Sequence, residues 1–74
     1  MEKKVLEFIN AIRIAKNLVP ITSLNYEDKL RDDLEFTSFD LAELTVKIED
    51  EFEIDIFEDG LVETVGEIIN KISE

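Results

Sequence analysis

The stretch FTSFDLAELTVKIEDEFEIDI, from Phe36 to Ile56, decides how this chain folds. Its apolar residues recur at spacings of three and four, which is the period of an amphipathic helix with one buried face. The period begins at Thr37 and ends near Glu53, so we predict one helix between them. The residues that form its buried face are Leu41, Leu44, Thr45, Ile48 and Phe52.

The start of this helix has the pattern of a capping box, formed by Thr37 and Asp40. In such a box the threonine hydroxyl accepts the amide of the aspartate, and the carboxylate accepts the amide of the threonine. A serine at a helix start usually serves as the cap, but here Thr37 fills that role and leaves the Ser38 hydroxyl free. The helix dipole and the amides of the first turn would favour a phosphate attached there. Ser38 is therefore either a structural serine or an attachment point.

Helical patterns also occur towards both ends of the chain. Residues 2–16 carry apolar side chains at helical spacing, namely Val5, Leu6, Phe8, Ile9, Ile12 and Ala15. A short helical piece is predicted at residues 58–62 and a final helix at residues 64–72. The final helix places four residues inward, Val65, Ile68, Ile69 and Ile72.

Residues 17–31 show no sustained period and contain the only proline, Pro20, so they form a long loop. Its apolar residues would pin it to the core: Leu18, Val19, Ile21, Leu24, Tyr26 and Leu30. Strand-like alternation is nowhere sustained. We expect an all-α fold, a small bundle of three main helices plus one short third helix, with a long loop between helices one and two. A chain of 74 residues should form this bundle as a single domain over residues 1–74.

The charge balance limits the kinds of partner. With 8 Lys plus Arg against 19 Asp plus Glu, the formal net charge is -11 at pH 7. This disfavours nucleic acid, whose phosphates need cations opposite them, and favours protein partners with basic patches. No apolar run approaches the roughly 20 residues of a membrane span, and the start MEKKVLEF does not resemble a signal peptide. We expect a cytoplasmic monomer.

The chain has no histidine and no cysteine, which excludes several kinds of chemistry. Ser38 cannot be a hydrolase nucleophile, because no histidine is present to take its proton and no G-x-S-x-G elbow surrounds it. A disulfide, a thiol nucleophile and a thiolate metal site are excluded as well. Modification of Ser38 would need an outside enzyme, and the exposed side of the helix offers acidic residues as a recognition surface. These residues are Asp40, Glu43, Asp50 and Glu51.

A small apolar strip lies next to these acidic residues. Helical spacing places Phe39, Ala42 and Val46 between the buried face and the acidic face. Such a strip is either the edge of the core or a contact for a partner protein.

Taken together, these residues resemble the acyl carrier proteins, small helical bundles whose serine carries a 4'-phosphopantetheine arm. In that family the serine usually stands in Asp-Ser-Leu, before an acidic helix with a Glu-Glu-Phe-like end and an Ile-Pro-Asp-like turn. The corresponding segments here are Thr37-Ser38-Phe39, Glu49-Asp50-Glu51-Phe52 and Ile54-Asp55-Ile56, and Thr64-Val65 is similar to the start of the family's last helix. The resemblance covers essentially the whole chain.

The resemblance implies a carrier rather than an enzyme, with no catalytic and no metal-binding residues of its own. Ser38 would receive phosphopantetheine from coenzyme A through a phosphopantetheinyl transferase and magnesium, and an acyl or aminoacyl group would then be held as a thioester. The other implied partners are a loading ligase and acyl-transferring enzymes with basic docking patches. The residues expected to contact them are Phe39, Asp40, Glu43, Val46, Glu49 and Asp50.

The chain departs from the family pattern around the serine. Thr37 replaces the usual aspartate, Glu35 and Phe36 stand where a glycine and a small residue are usual, and Phe39 replaces leucine, as in D-alanyl carriers. The segment 56–64 is about two residues shorter than in the fatty-acid type, which would reduce the third helix to a turn. These departures favour a specialised carrier over one for housekeeping fatty acid synthesis.

Two functions outside this family compete with that of a carrier. A calcium loop could place Asp55 first and Asp59 fifth, but Phe57 and Gly66 would fall at the third and twelfth positions, where ligands are needed. This register argues against a calcium sensor. An acidic adaptor for a basic partner, with Ser38 merely structural, stays open as an alternative to the carrier.

Overall fold

The computed structural model describes residues 2–58, 60 and 62–73, and three α-helices account for its regular structure. Helix α1 spans Glu2–Ala15, α2 spans Ser38–Phe52 and α3 spans Val65–Ser73. The all-α class and the three main helices are therefore confirmed. Within the described ranges no strand forms, and strand-like pairing is limited to one antiparallel bridge between Lys29 and Thr64.

Helix α1 buries a narrower stripe than predicted. Val5, Ile9 and Ile12 are buried and Phe8 packs against them, whereas Leu6 is only half-buried and Ala15 is exposed. Ala15, the last residue of the helix, therefore lies outside the buried stripe although its spacing fits that stripe. The end is a Schellman motif with a left-handed residue (φ 65°) at Asn17. The amides of Asn17 and Leu18 donate to the carbonyls of Ile14 and Arg13.

Polar side chains of α1, more than apolar pins, hold the long loop. Arg13 is buried, and its guanidinium donates to the carbonyls of Val19 and Leu34. The side-chain Nδ2 of Asn10 donates to the carbonyl of Ile21, and its Oδ1 accepts the backbone N–H of Ile21. These bonds satisfy backbone groups that the loop cannot pair within itself.

Only part of the predicted set of loop pins is correct. Leu30 is buried, and Ile21 and Leu24 pack against the core. Val19 is 77% exposed and Tyr26 45% exposed, so neither is a pin. The hydroxyl of Tyr26 instead donates to the carboxylate of Glu2.

Helix α2 keeps the predicted buried face. Leu44 and Ile48 are fully buried. Leu41 and Phe52 are partly buried and pack against the core beside them. Thr45 is half-buried, and its hydroxyl donates to the carbonyl of Leu41. The helix ends at a left-handed residue, Glu53, whose amide donates to the carbonyl of Glu49.

The predicted short helix at residues 58–62 is not present in the described part of that segment. Residues 56–58 form a turn, and Gly60 has a φ of 130°, which a helix cannot contain. The side chain of Asp55 accepts the amide of Phe57, and this local bond competes with helix formation. Asp59 and Leu61 lie outside the described residues. The shorter alternative, a turn, is the correct one for the described positions.

Helix α3 begins one residue later than predicted, because Thr64 acts as its cap. The Thr64 hydroxyl accepts the amide of Glu67 and donates to its carboxylate. Val65, Ile68 and Ile69 are buried as predicted, and Ile72 packs partly buried against them.

The loop before Ser38 crosses the start of α3 and is bonded to it. The amides of residues 65 and 66 donate to the carbonyls of Asp28 and Tyr26. Glycine at position 66 avoids a tight contact, because a Cβ there would lie 3.0 Å from the Tyr26 carbonyl oxygen. One buried cluster joins residues from all three helices and from the loops. No helix in the described ranges is long and apolar enough to cross a membrane.

Candidate functional site

Ser38 is the first residue of α2 and is exposed to solvent. The preceding Thr37 has extended backbone (φ -88°, ψ 174°) and is the N-cap. Its hydroxyl accepts the amide of Asp40 at 3.2 Å, and the Asp40 carboxylate accepts the Thr37 amide at 2.9 Å. The predicted capping box is confirmed. Ser38 therefore does not serve as the cap, and its hydroxyl can react without undoing the start of the helix.

Arg31 contacts the Ser38 hydroxyl from the preceding loop. Its Nη2 donates to Ser38 Oγ at 2.5 Å, and both side chains are exposed. The turn at residues 30–34, held by the Lys29 carbonyl, folds the loop back so that a residue seven positions earlier reaches the serine. A guanidinium thus lies next to the oxygen that would carry any attached group.

Asp40 is not on the exposed face, which corrects the prediction. It is 7% exposed, and its carboxylate accepts hydrogen bonds from Thr37 and, at 2.6 Å, from the Lys16 ammonium. Burial acts to raise the pKa of this carboxyl, but the hydrogen bonds from Lys16 and Thr37 outweigh burial and lower the pKa below its ordinary value. The charge of Asp40 is neutralised locally by Lys16 and is turned away from an approaching partner.

The outer face of α2 combines apolar and acidic side chains. Phe39 is 78% exposed and Val46 is 58% exposed, and both lie outside the core cluster. The alternative in which these two residues form the edge of the core is therefore wrong. The other exposed residues of this face are Ala42, Glu43, Glu49, Asp50 and Glu51. We call Phe39 and Val46 the apolar pair of α2.

A cavity of about 280 Å³ opens between the loop before Ser38 and the segment that precedes α3. Leu41 of α2 forms one wall, and Arg31 stands at its polar side. The remaining lining comes from Lys29, Leu30, Asp32, Phe57, Val62 and Glu63. The cavity has both apolar and charged walls, and Arg31 links it to the serine.

The sequence pattern does not indicate a role for Arg31 or Lys16. Both contacts depend on the path of the loop, which no local period reveals. Two signals were available: cations are scarce in this chain, and Lys16 stands just after the end of α1, where a helix dipole favours positive charge. Arg13 likewise stands between the apolar positions of its helix, and the spacing alone does not show that loop carbonyls lie near it.

Comparison with known proteins identifies the family of this domain. The family described as "Phosphopantetheine attachment site" matches residues 12–72. An acyl carrier protein of Picosynechococcus sp. is 34% identical over 76 residues, an alignment that covers 100% of this chain and 94% of that protein. No solved structure matches the chain.

The family match covers more than half of the chain and includes the whole loop between α1 and α2, all of α2, and α3 up to Ile72. Phosphopantetheine is accordingly the cofactor of this domain, and domains of this kind are carriers rather than enzymes. The chain belongs to the acyl carrier protein family.

Proposed function

We propose that Ser38 carries the phosphopantetheine arm and that the chain presents an acyl or aminoacyl group as a thioester at the end of that arm. The observation that supports this most directly is the exposed Ser38 hydroxyl on the first turn of α2, with the capping role taken by Thr37. The amides of a first helical turn have no partner within the helix, and the dipole favours an anion there. The residues present therefore fit a phosphodiester on Ser38.

The attachment step can be written from the groups involved. Ser38 Oγ forms a bond to the pantetheine-linked phosphorus of coenzyme A, while the pyrophosphate bond breaks and adenosine 3',5'-bisphosphate leaves. The hydroxyl proton must go to a base of the transferase, since this chain has no histidine. Magnesium would be needed to offset the charge of the pyrophosphate.

We infer that partner enzymes dock on the outer face of α2 next to Ser38. The apolar pair of α2 supplies area that partners can bury, and exposed carboxylates at Glu43, Glu49 and Asp50 attract basic patches. Asp40 has no part in this surface because Lys16 covers it. The partners would be a phosphopantetheinyl transferase, a loading ligase and acyl-transferring enzymes.

The cargo would be chosen by the loading enzyme, so both acyl and aminoacyl groups suit this carrier. The bulky Phe39 and the threonine at position 37, where the family usually has aspartate, favour a carrier for a specialised pathway. A D-alanyl carrier is one example. A single carrier domain over residues 1–74, a monomeric state and a cytoplasmic location stay predictions.

The test is the intact mass of the purified chain after incubation with coenzyme A, magnesium and a broad-specificity phosphopantetheinyl transferase. We expect a gain of one phosphopantetheine on the wild type and none on Ser38→Ala. Ser23→Ala is the matched control, because Ser23 is also exposed but lies in the loop, and it should be modified like the wild type.

No gain on the wild type would count against attachment at Ser38, unless Thr37→Asp gains the arm. That gain would show that this transferase reads an aspartate before the serine. A gain on Ser38→Ala would place the arm elsewhere. An adaptor that has lost the modification would show no gain on the wild type or on Thr37→Asp.

The docking surface can be tested separately by the rate of modification. Glu43→Lys should slow it about 3- to 10-fold at low salt, because an attractive charge becomes repulsive to a basic patch. Glu27→Lys changes the same charge at an exposed loop position and should have less effect. Equal rates for the two variants would argue against docking on α2.

A further inference from the structure

Within the described residues, the Ser38 hydroxyl is contacted by the side chain of Arg31. Docking of partners on α2 does not explain this contact. The guanidinium reaches Ser38 Oγ from a different segment of the chain, at 2.5 Å. Because both side chains are exposed, core packing does not force them together. An arginine loses much rotamer freedom when it is fixed, and a bond to a neutral hydroxyl returns little of that free energy. A guanidinium held in this position is better matched to an anion.

We propose that Arg31 is a positioning residue that binds the phosphodiester formed on Ser38 and so sets the direction in which the arm leaves the protein. The inference rests on the proposed function, because the anion is present only if Ser38 is modified. The phosphorus would bond to the oxygen that Arg31 already contacts, so its non-bridging oxygens would lie within reach of the same guanidinium. The planar fork of arginine suits phosphate oxygens better than the single ammonium of lysine does.

The surrounding negative charges favour a cation next to the phosphodiester. The chain already has a formal net charge of -11, and a phosphodiester adds another negative charge beside exposed Glu35. Lys16 also lies near this helix start, but its ammonium is already bound to Asp40 and to the Glu35 carbonyl. Arg31 is therefore the cation placed to offset the new charge.

The position of Arg31 also gives the arm a path. Arg31 lines the cavity of about 280 Å³ together with Leu41. A phosphate held by Arg31 would start the arm on the loop side of α2, at the opening of this cavity. The apolar pair, Phe39 and Val46, would then stay uncovered for partner enzymes.

The experiment compares the apo and modified forms of the full chain for the wild type, Arg31→Gln, Arg31→Lys and Lys29→Gln. Each chain is modified to completion with excess transferase, as judged by intact mass. The readouts are the difference in Tm between modified and apo forms, at about 20 mM and about 500 mM NaCl, and the ³¹P resonance of the phosphodiester. Lys29→Gln removes a like charge from the rim of the same cavity and is the matched control.

For each chain we take the Tm of the modified form minus the Tm of the apo form. At low salt we expect this value to be about 1 to 5 °C lower for Arg31→Gln than for the wild type. The gap should shrink at high salt, and the ³¹P resonance should move. Arg31→Lys should recover part of both effects, while Lys29→Gln should resemble the wild type. A purely structural role for Arg31 would lower the Tm of apo and modified forms equally and leave their difference unchanged.

Three outcomes would overturn the inference. Identical Tm differences and ³¹P resonances for wild type and Arg31→Gln would do so while leaving attachment at Ser38 intact. Equal effects of Lys29→Gln and Arg31→Gln would mean that the effect comes from the positive charge of the loop as a whole and not from a contact between Arg31 and the phosphate. No gain in mass on the wild type or on Thr37→Asp would remove the proposed function and this inference together.

Discussion

Lys16 connects three parts of the chain around the start of α2. Its ammonium donates to the Asp40 carboxylate and to the Glu35 carbonyl, and it lies 5.9 Å from the centre of the Phe36 ring. A cation at this distance from an aromatic face is attracted to it. The backbone on both sides of Ser38 is thus fixed by other residues, and the Ser38 hydroxyl is not needed to hold the start of the helix.

The ion pair between Lys16 and Asp40 predicts a pH dependence. Asp40→Asn should lower the free energy of unfolding by about 1 to 2 kcal/mol at pH 7, because the hydrogen bonds from Lys16 and Thr37 lose their charged acceptor. The folded pKa of Asp40 is lowered from its ordinary value of 3.8. Its stabilisation is therefore complete above that ordinary value and is lost as the pH falls through the folded pKa.

Urea titrations of the wild type and Asp40→Asn over a range of pH check this expectation. The difference between their free energies of unfolding should stay level from neutral pH to about pH 5 and shrink below about pH 4. A difference that persists unchanged in acid would mean that the charge of Asp40 contributes nothing.

Glu35 adopts a left-handed backbone conformation, with a φ of 61°. This conformation is strained for a residue with a Cβ and relaxed for glycine, although glycine also makes the unfolded chain more flexible. Glu35→Gly should therefore leave stability unchanged or raise the free energy of unfolding by up to about 1 kcal/mol.

Asp32→Gly is the matched control for Glu35→Gly. Asp32 is exposed in the same loop and carries the same charge, but its φ is not positive. This substitution should cost about 0.5 to 1 kcal/mol in urea titrations. Equal losses for both variants would show that the left-handed conformation carries no strain.

At the scale of elements, α2 changes from a buried face to an exposed face within two residues. Ile48 is fully buried, whereas Val46 is 58% exposed. Ile48→Ala should cost about 2 to 5 kcal/mol of unfolding free energy, because it leaves a cavity in the core. Val46→Ala should change stability by less than about 0.5 kcal/mol and should slow modification of Ser38 if partners dock on the apolar pair.

Thermal unfolding and modification rates of these two variants separate the faces. Ile48→Ala should lower the Tm with little change in the modification rate measured well below that Tm. The opposite pattern, a stable Ile48→Ala chain or an unfolded Val46→Ala chain, would mean that the two faces of α2 are assigned the wrong way round.

The helices could be predicted from the sequence, but the connections between them could not. The buried face of α2 and its capping box follow from spacing and residue type, which are local properties. The role of Arg13 depends on the carbonyls of a loop that approaches only after folding. The contact between Arg31 and Ser38 depends on the turn at residues 30–34, and the burial of Asp40 depends on Lys16 of another element. Patterns within one element do not reveal contacts that the path of a loop creates.

Across the whole molecule, negative charge is concentrated at the C-terminal end of α2. The last turn of this helix has no basic residue, although its dipole presents negative partial charge there. Five carboxylates line an open depression at this end, from Glu49, Asp50, Glu53, Asp55 and Glu58. These groups repel one another in the folded chain more than in the unfolded chain, where they lie farther apart.

Added salt should therefore stabilise the fold. Relief of about 1 kcal/mol of repulsion would raise the Tm by about 4 to 8 °C in a domain of this size, and magnesium should act at lower concentration than sodium. The measurement is a thermal melt at increasing NaCl or MgCl₂. A Tm that moves with neither salt would show that repulsion does not limit stability.

The double variant Glu49→Gln/Glu53→Gln locates the repulsion. It should have a higher Tm than the wild type at low salt and a smaller response to added salt, since two of the five carboxylates of the depression are neutralised. Glu27→Gln, an exposed position in the loop, should respond to salt nearly as the wild type does. If all three chains respond equally, the repulsion is spread over the whole surface. The carboxylates at the end of α2 would then not limit stability by themselves. Their only expected effect would be on association, because the charge of the whole surface attracts a basic partner over similar distances.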